Sequence, residues 1–140
     1  MDTLTINATI ENLSEVIAFV TEPLTDDNCT VRARMQLELV VEELFVNIAC
    51  YAYHPETGPV TVERVMDEAD RVISVTFRDR GVPYNPLTRE NPDTTLPLDK
   101  RPIGGLGVFL VKKNVDEISY AYREGQNILR FRKKLTKQET

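Results

Sequence analysis

Three groups of residues in this chain have the types and spacing to do chemistry. The first is Glu42-Glu43-Leu44-Phe45-Val46-Asn47. Glu43 and Asn47 are four apart, so on a helix they share a face. A carboxylate there can serve as a general base, and an amide oxygen is a hard ligand suited to Mg²⁺. The same pair also reads as the edge of a solvated helix face. The second group is Asp79-Arg80-Gly81-Val82-Pro83. Asp79 follows Ile73, Val75 and Phe77 at strand parity, which places it at the end of a buried row. A buried carboxylate must be hydrogen-bonded, and the exocyclic amine of a purine is a suitable donor. Gly81 leaves room for a ring or a backbone to come close. A turn-capping Asp is the other reading. The third group is Gly104-Gly105-Leu106-Gly107. Glycines just before a helix free backbone N–H groups to approach an anion, and the helix start adds partial positive charge. The cluster is neither a Rossmann nor a Walker A pattern, and it also reads as a loop-to-helix joint.

The surrounding sequence predicts the elements that carry these groups. Thr3–Ala8 alternates as a strand. A helix runs from Asn12 or Ser14 to about Thr21, before Pro23. A second, long helix starts near Asp26–Thr30 and runs to about Tyr53, free of Gly and Pro. Leu37, Val41, Leu44, Ile48 and Tyr51 form its expected core stripe. His54–Gly58 is a turn. Val60, Val62 and Arg64 alternate in one strand, and Ile73, Val75 and Phe77 in the next, with a hairpin at Asp67–Asp70. Pro83 to Pro102 holds five of the eight prolines, a loop long enough to imply a task. A short helix from Val108 to about Asn114 follows the glycines. Glu117–Arg123 and Asn127–Leu135 are strands joined at Glu124-Gly125. This succession, β-α-α-β-β-loop-α-β-β, predicts an α+β sandwich with helices on one face of a mainly antiparallel sheet.

Composition sets the outer bounds. The chain has 140 residues, with 41% hydrophobic and 28% charged, which suits one globular domain. No apolar run reaches the ~20 residues that span a bilayer. The first ten residues lack a basic start and an apolar core, so the expectation is a cytoplasmic protein with Cys29 and Cys50 reduced. The net charge of −5 disfavours general nucleic-acid binding. Residues 1–31 contain Asp2, Glu11, Glu15, Glu22, Asp26 and Asp27, and no Lys or Arg. That segment is either a solvated face or a docking surface for a partner protein.

Taken in order, the acid-plus-amide helix, the Asp-x-Gly strand end, the long loop and the glycine cluster resemble the GHKL (histidine kinase-like) ATPase superfamily. Glu43–Asn47 matches its N-box, Asp79–Pro83 its first glycine box and Gly104–Gly107 its second. Within it, the chain looks most like the anti-sigma-factor serine/threonine-protein kinases. The resemblance implies one domain over 1–140 with a Bergerat-type two-layer sandwich, a mainly antiparallel mixed β-sheet with helices packed on one face. It implies ATP and Mg²⁺ as ligands and an ATP lid at about 85–103. Glu43 would be the catalytic base and Asn47 the metal ligand. Asp79 and Gly81 would bind adenine, and Gly104, Gly105, Leu106 and Gly107 the phosphates. Arg101, near the end of the lid, would supply positive charge to phosphate or stand as a solvated lid residue, and whether Lys112 and Lys113, further along the helix, reach phosphate stays open.

The implied function is phosphorylation of a STAS-type anti-anti-sigma protein and sequestration of a sigma factor, with a homodimer as the working form. The alternative is a nucleotide-binding regulatory module of the same fold without kinase activity. Two departures stand out. Where relatives carry Gly-Thr in a late strand, this chain has Gly125-Gln126-Asn127, and Tyr51 and Tyr53 stand where some relatives have a His.

Overall fold

The computed structural model describes residues 1–88 and 105–136. In chain order it forms β1 (Asp2–Asn7), α1 (Leu13–Thr21), α2 (Val31–Tyr51), β2 (Pro59–Asp67), β3 (Val72–Asp79), α3 (Gly105–Asn114), β4 (Glu117–Arg123) and β5 (Gln126–Lys134). The strands make one sheet in the order β1-β2-β3-β5-β4. All four pairings are antiparallel, so among the described residues the sheet is antiparallel throughout rather than mixed. The last two strands swap places because α3 carries the chain past β3 before β5 returns to pair with it.

Strand alternation explains the layers. Val60 and Val62 of β2, Ile73, Val75 and Phe77 of β3, and Leu129 and Phe131 of β5 are all buried on one side of the sheet. The helices cover that side, with Val16 and Val20 from α1, Leu37, Val41, Leu44 and Phe45 from α2, and Val111 from α3. Burying each such side chain contributes about 1.5–3 kcal/mol. A one-residue slip would turn the whole row outward, so the burial also fixes register.

α2 is the central helix. Thr30 caps its start by accepting a hydrogen bond from the Ala33 N–H at 3.0 Å, which satisfies one of the free donors of the first turn. The helix ends at Tyr51, two residues earlier than expected. Tyr51 itself is 39% exposed and is not the core residue its spacing suggested. The helical period carries it to the end of α2, where the sheet no longer covers that face and a pocket opens instead. α3 also differs from expectation. It begins at Gly105, so Gly105, Leu106 and Gly107 form its first turn rather than precede it. Cys29 and Cys50 are free, and Cys29 is buried. Burial pushes the Cys29 thiol up, which keeps it protonated and inert.

Candidate active site

The site is built at one end of the sheet, where β3 finishes and β5 begins, beside the C-terminal half of α2. Asp79 closes the buried row of β3, as strand parity predicts, and is 6% exposed. Its Oδ1 accepts from the Gly81 N–H at 2.9 Å and from Asn127 Nδ2 at 2.9 Å. Its Oδ2 makes no hydrogen bond among the described residues. Beside it lies a pocket lined by Asn47, Tyr51, Asp79, Tyr120, Asn127 and neighbouring apolar groups. An apolar hollow with one available carboxylate oxygen suits a flat aromatic ring bearing an amino group.

Gly81 serves the protein before it serves a ligand. A Cβ there would lie 2.2 Å from the Ala52 carbonyl oxygen. The room that glycine provides is filled by the end of α2, and the next residue, Val82, donates its N–H to that same carbonyl at 2.9 Å. Tyr53 strengthens the joint. Its hydroxyl donates to the Pro59 carbonyl at 2.6 Å and accepts from the Arg80 N–H at 2.8 Å. Burial raises its phenol above the ordinary value, so it remains a neutral donor.

One to two turns back along α2 stand Asn47 and Glu43. Glu43 rests against the first turn of α3, since a Cβ on Gly107 would lie 2.2 Å from Glu43 Oε2. That contact is possible only without a side chain at 107. Burial raises the Glu43 carboxyl above its ordinary value, and the adjacent Glu42 carboxylate pushes it the same way. A carboxylate so perturbed, at the start of a glycine-opened helix, is equipped to take a proton from an attacking group. Among the described residues no three His, Cys, Asp or Glu side chains converge as a metal cage. The donor set fits a cation held largely by phosphates and water, with the Asn47 amide as a protein ligand.

The structure therefore brings Glu43, Asn47, Asp79, Gly81, Gly105 and Gly107 to one end of the molecule. Gly104, Arg101 and most of the expected lid at 85–103 lie outside the described residues. Lys112 reaches the root of that loop, with its Nζ donating to the Leu87 carbonyl at 3.2 Å. Lys113 sits 5.0 Å over the Phe109 ring. Sequence reasoning missed the part played by Asn127 and Tyr120. Asn127 is 6% exposed and is the cross-strand partner of Asp79. The signal was there in outline, because a polar residue at the inward parity of β5 needs a partner.

These features define a histidine kinase-like ATPase domain, and the chain belongs to that family, which it matches over residues 6–133. Among particular relatives, it is 27% identical over 128 residues to the serine/threonine-protein kinase BtrW of Bordetella bronchiseptica, covering 91% of this chain and 89% of that protein. It is 28% identical over 97 residues to the serine-protein kinase RsbW of Bacillus mycoides, covering 66% of this chain and 59% of that one. The crystal structure of the RsbU and RsbW domains of Rv1364c from Mycobacterium tuberculosis shares the fold. Its TM-score is 0.62 at 15% identity, over 99% of this chain and 34% of that one. No helix among the described residues is long and apolar enough to cross a membrane.

Proposed function

We propose that this chain is an ATP-dependent protein serine/threonine kinase of the anti-sigma type, one ATPase domain over 1–140 with its lid at about 85–103. It phosphorylates a serine on a STAS-domain anti-anti-sigma protein and sequesters a sigma factor, working as a cytoplasmic homodimer. The observation that carries the reading is the juxtaposition of Glu43 with Gly107. A base of raised pKa set against a glycine turn is what phosphoryl transfer needs, whereas nucleotide binding alone has no use for it. The names of the kinase relatives support the same reading.

Asp79 Oδ2 accepts from the adenine amino group, and the Gly105–Gly107 turn offers backbone N–H groups to the phosphates. Mg²⁺, held by Asn47, shields phosphate charge when bound. The serine hydroxyl oxygen forms a bond to the γ-phosphorus. The bond from that phosphorus to the β,γ-bridging oxygen breaks, and ADP leaves with the electron pair. Glu43 takes the hydroxyl proton.

The test is a transfer assay with γ-labelled ATP and STAS proteins of the same organism. Glu43→Gln is expected to keep ATP affinity within about threefold and to lose transfer by about 10²–10⁴-fold. The acid limb of the rate should lie above the ordinary carboxylate range, because transfer falls as Glu43 is protonated, and the Gln variant should lack it. The same raised pKa makes the ionised carboxylate unfavourable in the folded protein above that pKa. Glu43→Gln should therefore raise Tm at neutral pH. Transfer that proceeds at the parent's rate would remove Glu43 from its role.

A further inference from the structure

We propose that Asn127 is a positioning residue of the nucleotide site. It fixes the Asp79 carboxylate so that only Oδ2 faces the base, and so sets a preference for a 6-amino purine over a 6-oxo purine. The inference rests on the ATP reading above.

The geometry leaves Asn127 no freedom. Its Nδ2 faces acceptors alone: Asp79 Oδ1 and the Val82 carbonyl at 2.9 Å each, and the Gly81 carbonyl at 3.4 Å. Its Oδ1 faces donors alone, the Tyr84 N–H at 3.1 Å and the Tyr120 hydroxyl. Turning the amide over would set its oxygen against three acceptors and its NH2 against the Tyr84 N–H, so one orientation is fixed. Two amide hydrogens meet three acceptors, and none remains for a ligand.

The same holds for the other donors of this network. The Tyr120 hydroxyl is spent on Asn127. The Gly81 N–H is spent on Asp79 Oδ1. The Tyr84 N–H is shared between the Asn127 oxygen and the Tyr120 hydroxyl. Of the groups in this network, Asp79 Oδ2 alone is left for a base, and it is an acceptor. An adenine amino group is matched by it. The carbonyl of hypoxanthine or guanine in the same position meets a second acceptor, which is unfavourable in a buried setting.

Without Asn127, the Asp79 carboxylate loses the partner that holds Oδ1 away from the base, and it rotates. The network reaches further than the base. Through Val82 and Tyr84 it ties Asp79 to the first residues of the long loop after β3.

The experiment measures dissociation constants for ATP and inosine triphosphate, with thermal melts, for the parent, Asn127→Leu and Tyr120→Phe. The parent should prefer ATP. Asn127→Leu should shrink the ATP-to-ITP ratio by about tenfold or more, and Tyr120→Phe by about twofold to fivefold. A purely structural role would weaken both nucleotides alike and leave the ratio unchanged. Tyr120→Phe removes one oxygen, so it carries the test even if Asn127→Leu folds poorly. Folded variants that keep the parent's ratio would overturn the role of Asn127 alone. A parent that binds neither nucleotide would overturn the ATP reading and this inference with it.

Discussion

Among the charged side chains that point to the helix-covered side of the sheet, Arg64 on β2 and Asp79 on β3 are satisfied in opposite ways. The two lie four residues apart along the paired strands, Asp79 at the end and Arg64 in the middle. Asp79 pairs across from Val60, and Arg64 from Val75. Around Arg64 everything is closed. Its guanidinium donates to the Phe19 carbonyl and to Asp2 at 2.5 Å, sits near Glu22 at 3.7 Å, and stacks over the Phe19 ring at 4.6 Å. It clasps β1, β2 and the end of α1, and these partners all belong to the protein's own framework. Asp79 is held just as firmly by one oxygen and leaves the other to a pocket. A buried charge satisfied all round is architecture. One satisfied by half, beside a hollow, has an acceptor to offer.

That contrast can be broken at either end. Asp79→Asn retains an acceptor for Gly81 and Asn127 and turns the other oxygen into a donor. Folding should survive, while ATP affinity drops by about 100-fold, read as loss of the ATP-induced rise in Tm. Arg64→Met should do the reverse, lowering unfolding free energy by about 1–3 kcal/mol in denaturant melts while the ATP-induced rise persists. Most of that loss comes from the carbonyl bond and the packing, because Asp2 and Glu22 are 67% and 73% exposed and screened by water.

Gly107→Ala sharpens the comparison at a third place. Its methyl would displace the Glu43 carboxylate, a movable side-chain end. Transfer should fall by about tenfold with Tm held or raised, since Ala favours a helix over Gly by about 1 kcal/mol. The smallest effect belongs to Asp2→Asn, about 0.5 kcal/mol or less of stability and no change in nucleotide binding.

The half of the site that follows local periodicity was legible in the sequence. Ile73, Val75, Phe77 and Asp79 follow from strand parity, and Glu43 with Asn47 from helical spacing. The alternation of Val60, Val62 and Arg64 was legible too, but not the destination of Arg64. Its partners come from β1 and α1, far away in the chain, and no local rule selects them. Asn127 is the same case, since its contacts with Asp79 and Val82 join residues 48 and 45 apart. Tyr51 fits a helical stripe perfectly well and still leaves the core, because periodicity says which face a residue is on and not where the covering sheet stops. Gly81 and Gly107 look alike in sequence. One makes room for a backbone and the other for a carboxylate, which only packing decides.

The joint between Gly81–Val82 and Ala52 has a consequence for length. It bolts the far end of α2 to the strand that carries Asp79, so the distance from the Asp79 end to Glu43 is counted off in helical residues. The nine steps from Glu43 to Ala52 rise about 13 Å, with no loop in between to stretch or slacken. α2 is in effect a gauge block. A molecule seated at Asp79 either extends far enough to meet Glu43 or falls short of it, and a single residue inserted into that span would both lengthen the gauge and turn its business face by about 100°.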